Sequence, residues 1–338
     1  MKQAIMPEPG RIDIRQVDRP AVGEDEVLLR IRRIGVCGSD VHVWHGDHPY
    51  TSYPVVQGHE FAGEVVEVGS AVRGVEPGTR ATALPQRVCG ECPSCRRGQW
   101  HICENLKVRG FQAPGCAQEY FAVPAERLVP LPDSFTYEQG AMVEPVAVAV
   151  HAAARAGDLA GQKAVVLGAG PIGNLVAQVA QAQGADVLIT DLSRHRLQVA
   201  EQCGLQNVSD AGRESLAQAA GRCFDQAGFL LAWECAGAEA TVNQAIETAA
   251  KGATIVVVGV FAERASVDLG LVQDRELTLR GTLMYQKSDY EKAVRLIAEG
   301  SINLQPLMSG HFNLEQYEEA YRAIDRQGEQ LMKVFVDL

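Results

Sequence analysis

The chain has 338 residues, 46% apolar and 22% charged, with 31 basic against 42 acidic side chains and a net charge of −11. That length exceeds one simple core and predicts two domains of a globular protein. The negative charge argues against nucleic acid or an anionic membrane surface as a partner. No stretch reaches the roughly 18 consecutive apolar residues of a membrane-spanning helix, and "MKQAIMPEPGRIDIR" at the N-terminus lacks an apolar signal core. The expected location is the cytoplasm, where the nine cysteines, an odd number, are not expected to form disulfides and clustered ones are more often metal ligands or catalytic groups.

Up to about residue 145 the sequence carries short β-type runs cut by Gly and Pro: "EVLLRIRRIGV", "EFAGEVVEVG", "TRATALP" and "EYFAVP". Their alternation predicts a compact, barrel-like β domain. Within it "GVCGSD" places Cys37 in a glycine turn, and "GHE" places His59 and Glu60 in another. Then "CGECPSCRRGQWHIC" sets Cys89, Cys92, Cys95 and Cys103 in a C-x2-C-x2-C-x7-C spacing. Tight C-x-x-C turns aim successive sulfurs at one ion, which suits tetrahedral zinc. An iron–sulfur cluster is the alternative, because its cysteines also recur every third residue. The long last gap and the absence of Pro after Cys103 weigh against it. Four thiolates close the coordination shell, so a zinc there is structural.

Further on, Glu144 interrupts the apolar segment "AMVEPVAVAVH". A buried carboxylate needs a cation or a hydrogen-bond partner. Cys37, His59 and such a carboxylate together suit a zinc with an open coordination position. Zinc of that kind lowers the pKa of an alcohol, which removal of a hydride from the carbon requires.

Past residue 145 the texture changes to strands alternating with helices, which predicts an open parallel sheet covered on both faces. "VVLGAGPIG" is a strand, a turn with Gly168, Gly170 and Gly173, and a helix start. The glycines allow the tight turn, the approach of a pyrophosphate and close helix–strand packing. Asp191 closes the next strand, where a carboxylate accepts both adenine-ribose hydroxyls and repels a 2′-phosphate. That favours NAD, although Arg196 nearby is a residue type that holds a 2′-phosphate. An ordinary helix N-cap is the alternative role for Asp191. Pro171 and Ile172 in the turn, and Val258 and Gly259 after "ATIVV", complete the expected cofactor contacts.

"GVCGSDVHVW", "GHEFAGEVVEVG", the four-cysteine loop, "EPVAVAVHA", "VLGAGPIG" and "ECAGAEA" follow one another in an order that resembles the medium-chain zinc-dependent alcohol dehydrogenases. The resemblance covers essentially the whole chain. It is nearest to the polyol branch typified by sorbitol dehydrogenase, with threonine dehydrogenase a close cousin. It implies an α/β protein with a GroES-like β-barrel catalytic domain, 1–148 and 284–338, interrupted by a Rossmann NAD-binding domain, 149–283. It further implies that Cys37, His59 and Glu60 hold the catalytic zinc, with Glu144 beside it as a further ligand, directly or through water. Ser39 and His42 stand where the family passes the substrate proton toward solvent. Met284 stands where sorbitol enzymes carry an Arg, so a related polyol, sugar or sugar acid is expected rather than sorbitol itself. His45, His48, Tyr50 and Tyr53 are candidates to line the substrate pocket. A homo-oligomer, dimer or tetramer, is implied, with "ELTLRGTL" as its edge strand. Three rival readings are a threonine 3-dehydrogenase, a zinc-free quinone reductase and a non-catalytic dinucleotide-binding regulator.

Overall fold

A computed structural model of the chain describes residues 1–224 and 228–338. Its contacts divide into two units. The first comprises Met1–Glu144, Gln286–Ala298 and Met308–Leu338, and the second Pro145–Tyr285 and Glu299–Leu307. Among the described residues no helix is long and apolar enough to cross a membrane.

The first unit is built round one long strand, Glu26–Val36. On one side Glu60–Val68 pairs with it antiparallel, followed outward by Arg80–Ala83 and Leu128–Pro130. On the other side lies the last strand of the chain, Lys333–Asp337, with Met308–Asn313 beyond it. Tyr120–Pro124 also pairs with the first half of the long strand. Register shifts at Leu28/Leu29 and Ile31/Arg33 bend this strand, the usual device for curving a sheet toward a barrel. Its alternate residues Val27, Leu29, Ile31 and Ile34 are 0–1% exposed and join Phe61, Val65, Phe121 and Val336 in one core. This is the GroES-like architecture.

The register has a consequence for chemistry. Gly35 stands opposite Glu60 on one side and opposite Phe335 on the other. A Cβ at Gly35 would lie 2.3 Å from the Glu60 carboxylate. Only glycine leaves room for the Glu60 side chain to lie across the strand toward Lys333.

The second unit is a six-stranded parallel sheet. Lys163–Leu167 lies in the middle, with Asp186–Asp191 and then Asn207–Asp210 on one side. Leu231–Glu234, Thr254–Val257 and Thr278–Gly281 follow on the other. The order reverses beside the first strand, which is the doubly wound Rossmann pattern. "AVVL" is buried on every residue, as a parallel strand covered on both faces should be. Trp233, fully buried, fixes the next strand by donating its indole N–H to Ala152 O at 2.9 Å.

After Leu167 the chain turns at Gly168, whose φ of 102° is left-handed, and enters the helix Pro171–Ala182. A Cβ on Gly173 would stand 1.9 Å from Gly168 O. Gly173→Ala therefore forces the helix off its strand. The expected outcome is a loss of about 1–3 kcal/mol in stability, the usual cost of overpacking, together with loss of NADH binding. Thermal unfolding and NADH fluorescence titration check both.

Candidate active site and metal centres

Cys89, Cys92, Cys95 and Cys103 come together around the short helix Pro93–Arg96. The sulfurs stand 3.5 Å apart for Cys89–Cys103 and 4.0 Å for both Cys89–Cys95 and Cys92–Cys103. A disulfide needs about 2.05 Å. A zinc tetrahedron with Zn–S near 2.3 Å has edges of about 3.8 Å, so the spacing fits the ion and not the covalent bond. Backbone N–H groups already point at the sulfurs, from Cys92 to Cys89, from Cys95 to Cys92 and from Cys89 to Cys103. The backbone amides of Glu91 and Cys92 pull the Cys89 thiol down to about 6. Burial pushes Cys95 up to about 12. A doubly charged cation relieves that conflict by stabilising all four sulfurs as thiolates.

The second group is Cys37, His59 and Glu60, whose ligand atoms all lie within 4.8 Å of one another. Cys37 sits not in a plain glycine turn but at the N-cap of a helix, Gly38–His45. Its backbone N–H donates to Asp40 Oδ2 at 3.0 Å, closing a capping box. His59 follows Gly58, whose φ of 92° turns the chain into the strand Glu60–Val68. Asp40 is fully buried, and its Oδ1 faces His59 Nδ1 at 3.4 Å. At that length the contact is electrostatic rather than a formed hydrogen bond. Burial opposes a charged His59, but Asp40 and Cys37 outweigh it and raise its pKa well above the ordinary value.

Glu60 is 1% exposed and both its oxygens bond the Lys333 ammonium, at 2.7 and 2.8 Å. Lys333, itself 3% exposed, also donates to Val36 O at 3.2 Å. Burial disfavours the ammonium, yet Glu60, Cys37 and Glu144 together raise its pKa. The donor set of thiol, imidazole and carboxylate suits zinc and leaves a fourth position open.

Glu144 is buried in the helix Tyr137–Ala156, one residue before Pro145. Its charge reaches Lys333, but it is not one of the ligand atoms that meet within 4.8 Å. The carboxylate that meets Cys37 and His59 at that distance is Glu60. Ser39 Oγ donates to Cys37 Sγ at 3.2 Å. His42 is exposed one turn further along the same helix. Of the loop aromatics, His48 stacks on Phe111 at 4.7 Å, and Phe111 stands 4.9 Å from the His59 ring. His45 bonds Asp325, Tyr53 donates to Val43 O, and Tyr50 is exposed.

In the second unit Gly170 is the helix N-cap, and a Cβ there would meet nothing within 4 Å. Pro171 and Ile172 form the first turn of that helix. Asp191 accepts from Ala169 N at 2.6 Å and Ser193 N at 2.8 Å, with Arg196 Nη1 at 3.8 Å. The N-cap of the following helix is Ser193, not Asp191. Val258 N and Gly259 N both donate to Glu234 O at 2.8 Å. A Cβ on Gly259 would strike Gly237 N at 2.2 Å, so this loop also needs its glycine. Met284 adopts a left-handed φ of 51°, and Tyr285 beside it is buried.

Three residues that sequence reasoning passed over shape the first unit's site: Asp40, Gln57 and Lys333. Asp40 was readable as the third residue after Cys37, at capping-box spacing. Lys333 was readable as the one charge inside the apolar run "MKVFV". Lys333→Met leaves Glu60 buried without its partner. In protein stripped of metal, it is expected to lower stability by about 3–5 kcal/mol, the cost of breaking a buried ion pair, measured by urea unfolding.

Residues 23–133 match the alcohol dehydrogenase GroES-like domain, and residues 171–299 match the zinc-binding dehydrogenase domain. The chain is 34% identical over 324 residues to L-threonine 3-dehydrogenase of Rhizobium johnstonii, covering 94% of this chain and 93% of that protein. It is 36% identical over 301 residues to 2-dehydro-3-deoxy-L-galactonate 5-dehydrogenase of Pseudoalteromonas atlantica, covering 89% and 88%. A Sinorhizobium meliloti structure, described as a zinc-binding dehydrogenase bound to NADP, superposes with a TM-score of 0.93 at 32% identity, covering 100% of this chain and 99% of that one. Two metal-ligand groups, a Rossmann sheet and these likenesses converge on one conclusion: the chain belongs to the medium-chain zinc-dependent alcohol dehydrogenases, oxidoreductases that act on CH–OH groups with a nicotinamide dinucleotide.

Proposed function

We propose that this protein oxidises a secondary alcohol of a sugar acid, sugar or polyol with NAD. Cys37, His59 and Glu60 hold the catalytic zinc, and Cys89, Cys92, Cys95 and Cys103 hold a structural one. The observation that carries this reading is the meeting of the first three ligand atoms within 4.8 Å.

When bound, the metal polarises the alcohol oxygen and the dinucleotide takes the hydride. The chain's own residues do the rest. Ser39, with its hydroxyl beside Cys37, accepts the alcohol proton as it passes its own proton on toward His42. His42, exposed one turn away, delivers it to solvent. Glu144 adds negative charge at the Lys333–Glu60 pair and keeps the ammonium in place. Asp191 receives the adenine ribose, and Gly168, Gly170, Pro171, Ile172 and Gly173 receive the pyrophosphate at a helix N-terminus. Val258 and Gly259 border the nicotinamide side, and Arg196 stays paired with Asp191. The His48–Phe111 stack borders the substrate, and its imidazole suits hydroxyl or carboxylate groups. The likeness to a dehydrogenase of a deoxy sugar acid supports that substrate class. L-threonine is the second reading, supported by the likeness to threonine 3-dehydrogenase over 94% of the chain.

The protein works in the cytoplasm as a homo-oligomer. Thr278–Gly281 is an edge strand with all four residues exposed, and Leu279 and Leu283 offer apolar surface beside it. An open apolar edge of that kind pairs readily with a second copy.

Two tests follow from this chemistry. Purified protein is expected to carry two zinc ions per chain, and pyridine-2,6-dicarboxylate that removes one of them is expected to abolish NADH formation across a panel of sugar acids, polyols and L-threonine. Full turnover after removal of that ion contradicts the mechanism. Asp191→Ala loses charge-assisted hydrogen bonds to the ribose and is expected to raise KM for NAD by about 10–100-fold, with kcat much less affected.

A further inference from the structure

The helix Tyr317–Gln327 grips the helix Gly38–His45 through one face. Tyr321 stacks on Trp44 at 5.2 Å with an interplanar angle of 11°, and Tyr317 stacks on Tyr321 at 5.4 Å. One turn on, Asp325 accepts from Trp44 Nε1 and meets His45 Nε2, both at 2.9 Å. These contacts hold a helix in place. The Tyr321 hydroxyl does something more specific. It donates to Gln57 Oε1 at 2.8 Å. Gln57 Nε2 then donates to Asp40 O at 3.2 Å and to Asp40 Oδ1 at 3.4 Å. Asp40 Oδ2 accepts from Cys37 N, and Asp40 Oδ1 faces His59 Nδ1.

Every member of this chain is out of water: Asp40 and Tyr321 are 0% exposed and Gln57 is 3% exposed. The amide can serve Asp40 only with its NH2 toward those two oxygens. Reversed, Oε1 would stand against both of them. That leaves Oε1 pointing the other way, toward a group that must donate. The Tyr321 O–H is that donor, so the phenol fixes which way the amide faces. The amide in turn fixes a carboxylate that touches two of the three ligand residues. Partners of this sort set the orientation of the imidazole and its strength as a ligand.

We propose that Tyr321 and Gln57 are positioning residues for the catalytic metal, acting through Asp40 on His59 and on the Cys37 N-cap. This rests on the reading of Cys37, His59 and Glu60 as the catalytic zinc site. Tyr321 reaches the metal group across 264 residues of sequence from Gln57, so the tail of the chain governs ligands set near its start. A structural role alone would lower stability without singling out one metal.

The test uses full-length protein. Zinc release to pyridine-2,6-dicarboxylate is timed for the parent, Tyr321→Phe and Gln57→Met, with the four-cysteine zinc as the internal control. Tyr321→Phe keeps the stacked ring and removes only the hydroxyl. Expected is faster loss of the Cys37/His59/Glu60 zinc, about 10-fold in Gln57→Met, the low end of the range for groups bonded to a ligand because Gln57 acts through Asp40, and about 3-fold in Tyr321→Phe, one bond further out. The four-cysteine zinc leaves at the parent's rate. In protein with Co²⁺ at the catalytic site, the visible d–d bands are expected to shift in both variants. Unchanged release and unshifted bands in both variants overturn the proposal, and so does equal acceleration at both metals, which marks general loosening. A parent that binds a single zinc refutes the zinc reading itself and is seen before any variant is made.

Discussion

A carboxylate and an ammonium, both out of water, sit across a glycine: Glu60 takes Lys333 with both oxygens where Gly35 leaves room. Charges in so poorly polarisable a place persist only in pairs. That constraint orders the first unit's site. It draws the last strand of the chain against the long central strand and stations Glu60 beside Cys37 and His59. Asp40 is buried in the same unit and faces His59, and the charge of buried Glu144 reaches Lys333. A carboxylate, a thiol and an imidazole brought together in this way are the donors a divalent ion needs. The family's chemistry needs the same ion, to make an alcohol acidic enough to give up a hydride from its carbon.

The two metal groups obey opposite designs. Four sulfurs in a loop of local contacts, with amides already aimed at them, form a closed shell that does mechanical work. Cys37, His59 and Glu60 come from a helix N-cap and the start of a strand, and three ligands leave a tetrahedral ion one position for substrate. Their support comes from distant parts of the chain: Lys333 from the last strand and Tyr321 from the last helix. The C-terminal tail is therefore part of the site's construction, and not an appendage that only completes the sheet.

Local features were legible in the sequence, and distant partnerships were not. The glycine turn from Gly168 to Gly173 could be read because all its requirements, a turn, an approach and a close packing, fall within six residues. The cysteine loop could be read for the same reason. "GVCGSD" read as a turn because a helix of eight residues is too short to show a period; only the spacing of Cys37 and Asp40 betrayed its cap. Glu144 could be recognised as a buried acid, but burial says nothing of direction, and it is the Glu60 carboxylate that comes within 4.8 Å of the Cys37 and His59 ligand atoms. Lys333 lies 273 residues from its partner, and no periodicity connects the two. Gln57 and Tyr321 were silent because an amide's orientation is decided by what surrounds it in three dimensions.

Anomalous scattering at the zinc absorption edge, from crystals of the protein grown with zinc, tests the central claim most directly. Two peaks per chain are predicted, one enclosed by the sulfurs of residues 89, 92, 95 and 103, the other bounded by Cys37, His59 and Glu60. A lone peak among the four sulfurs, with the second group bare, would contradict the account.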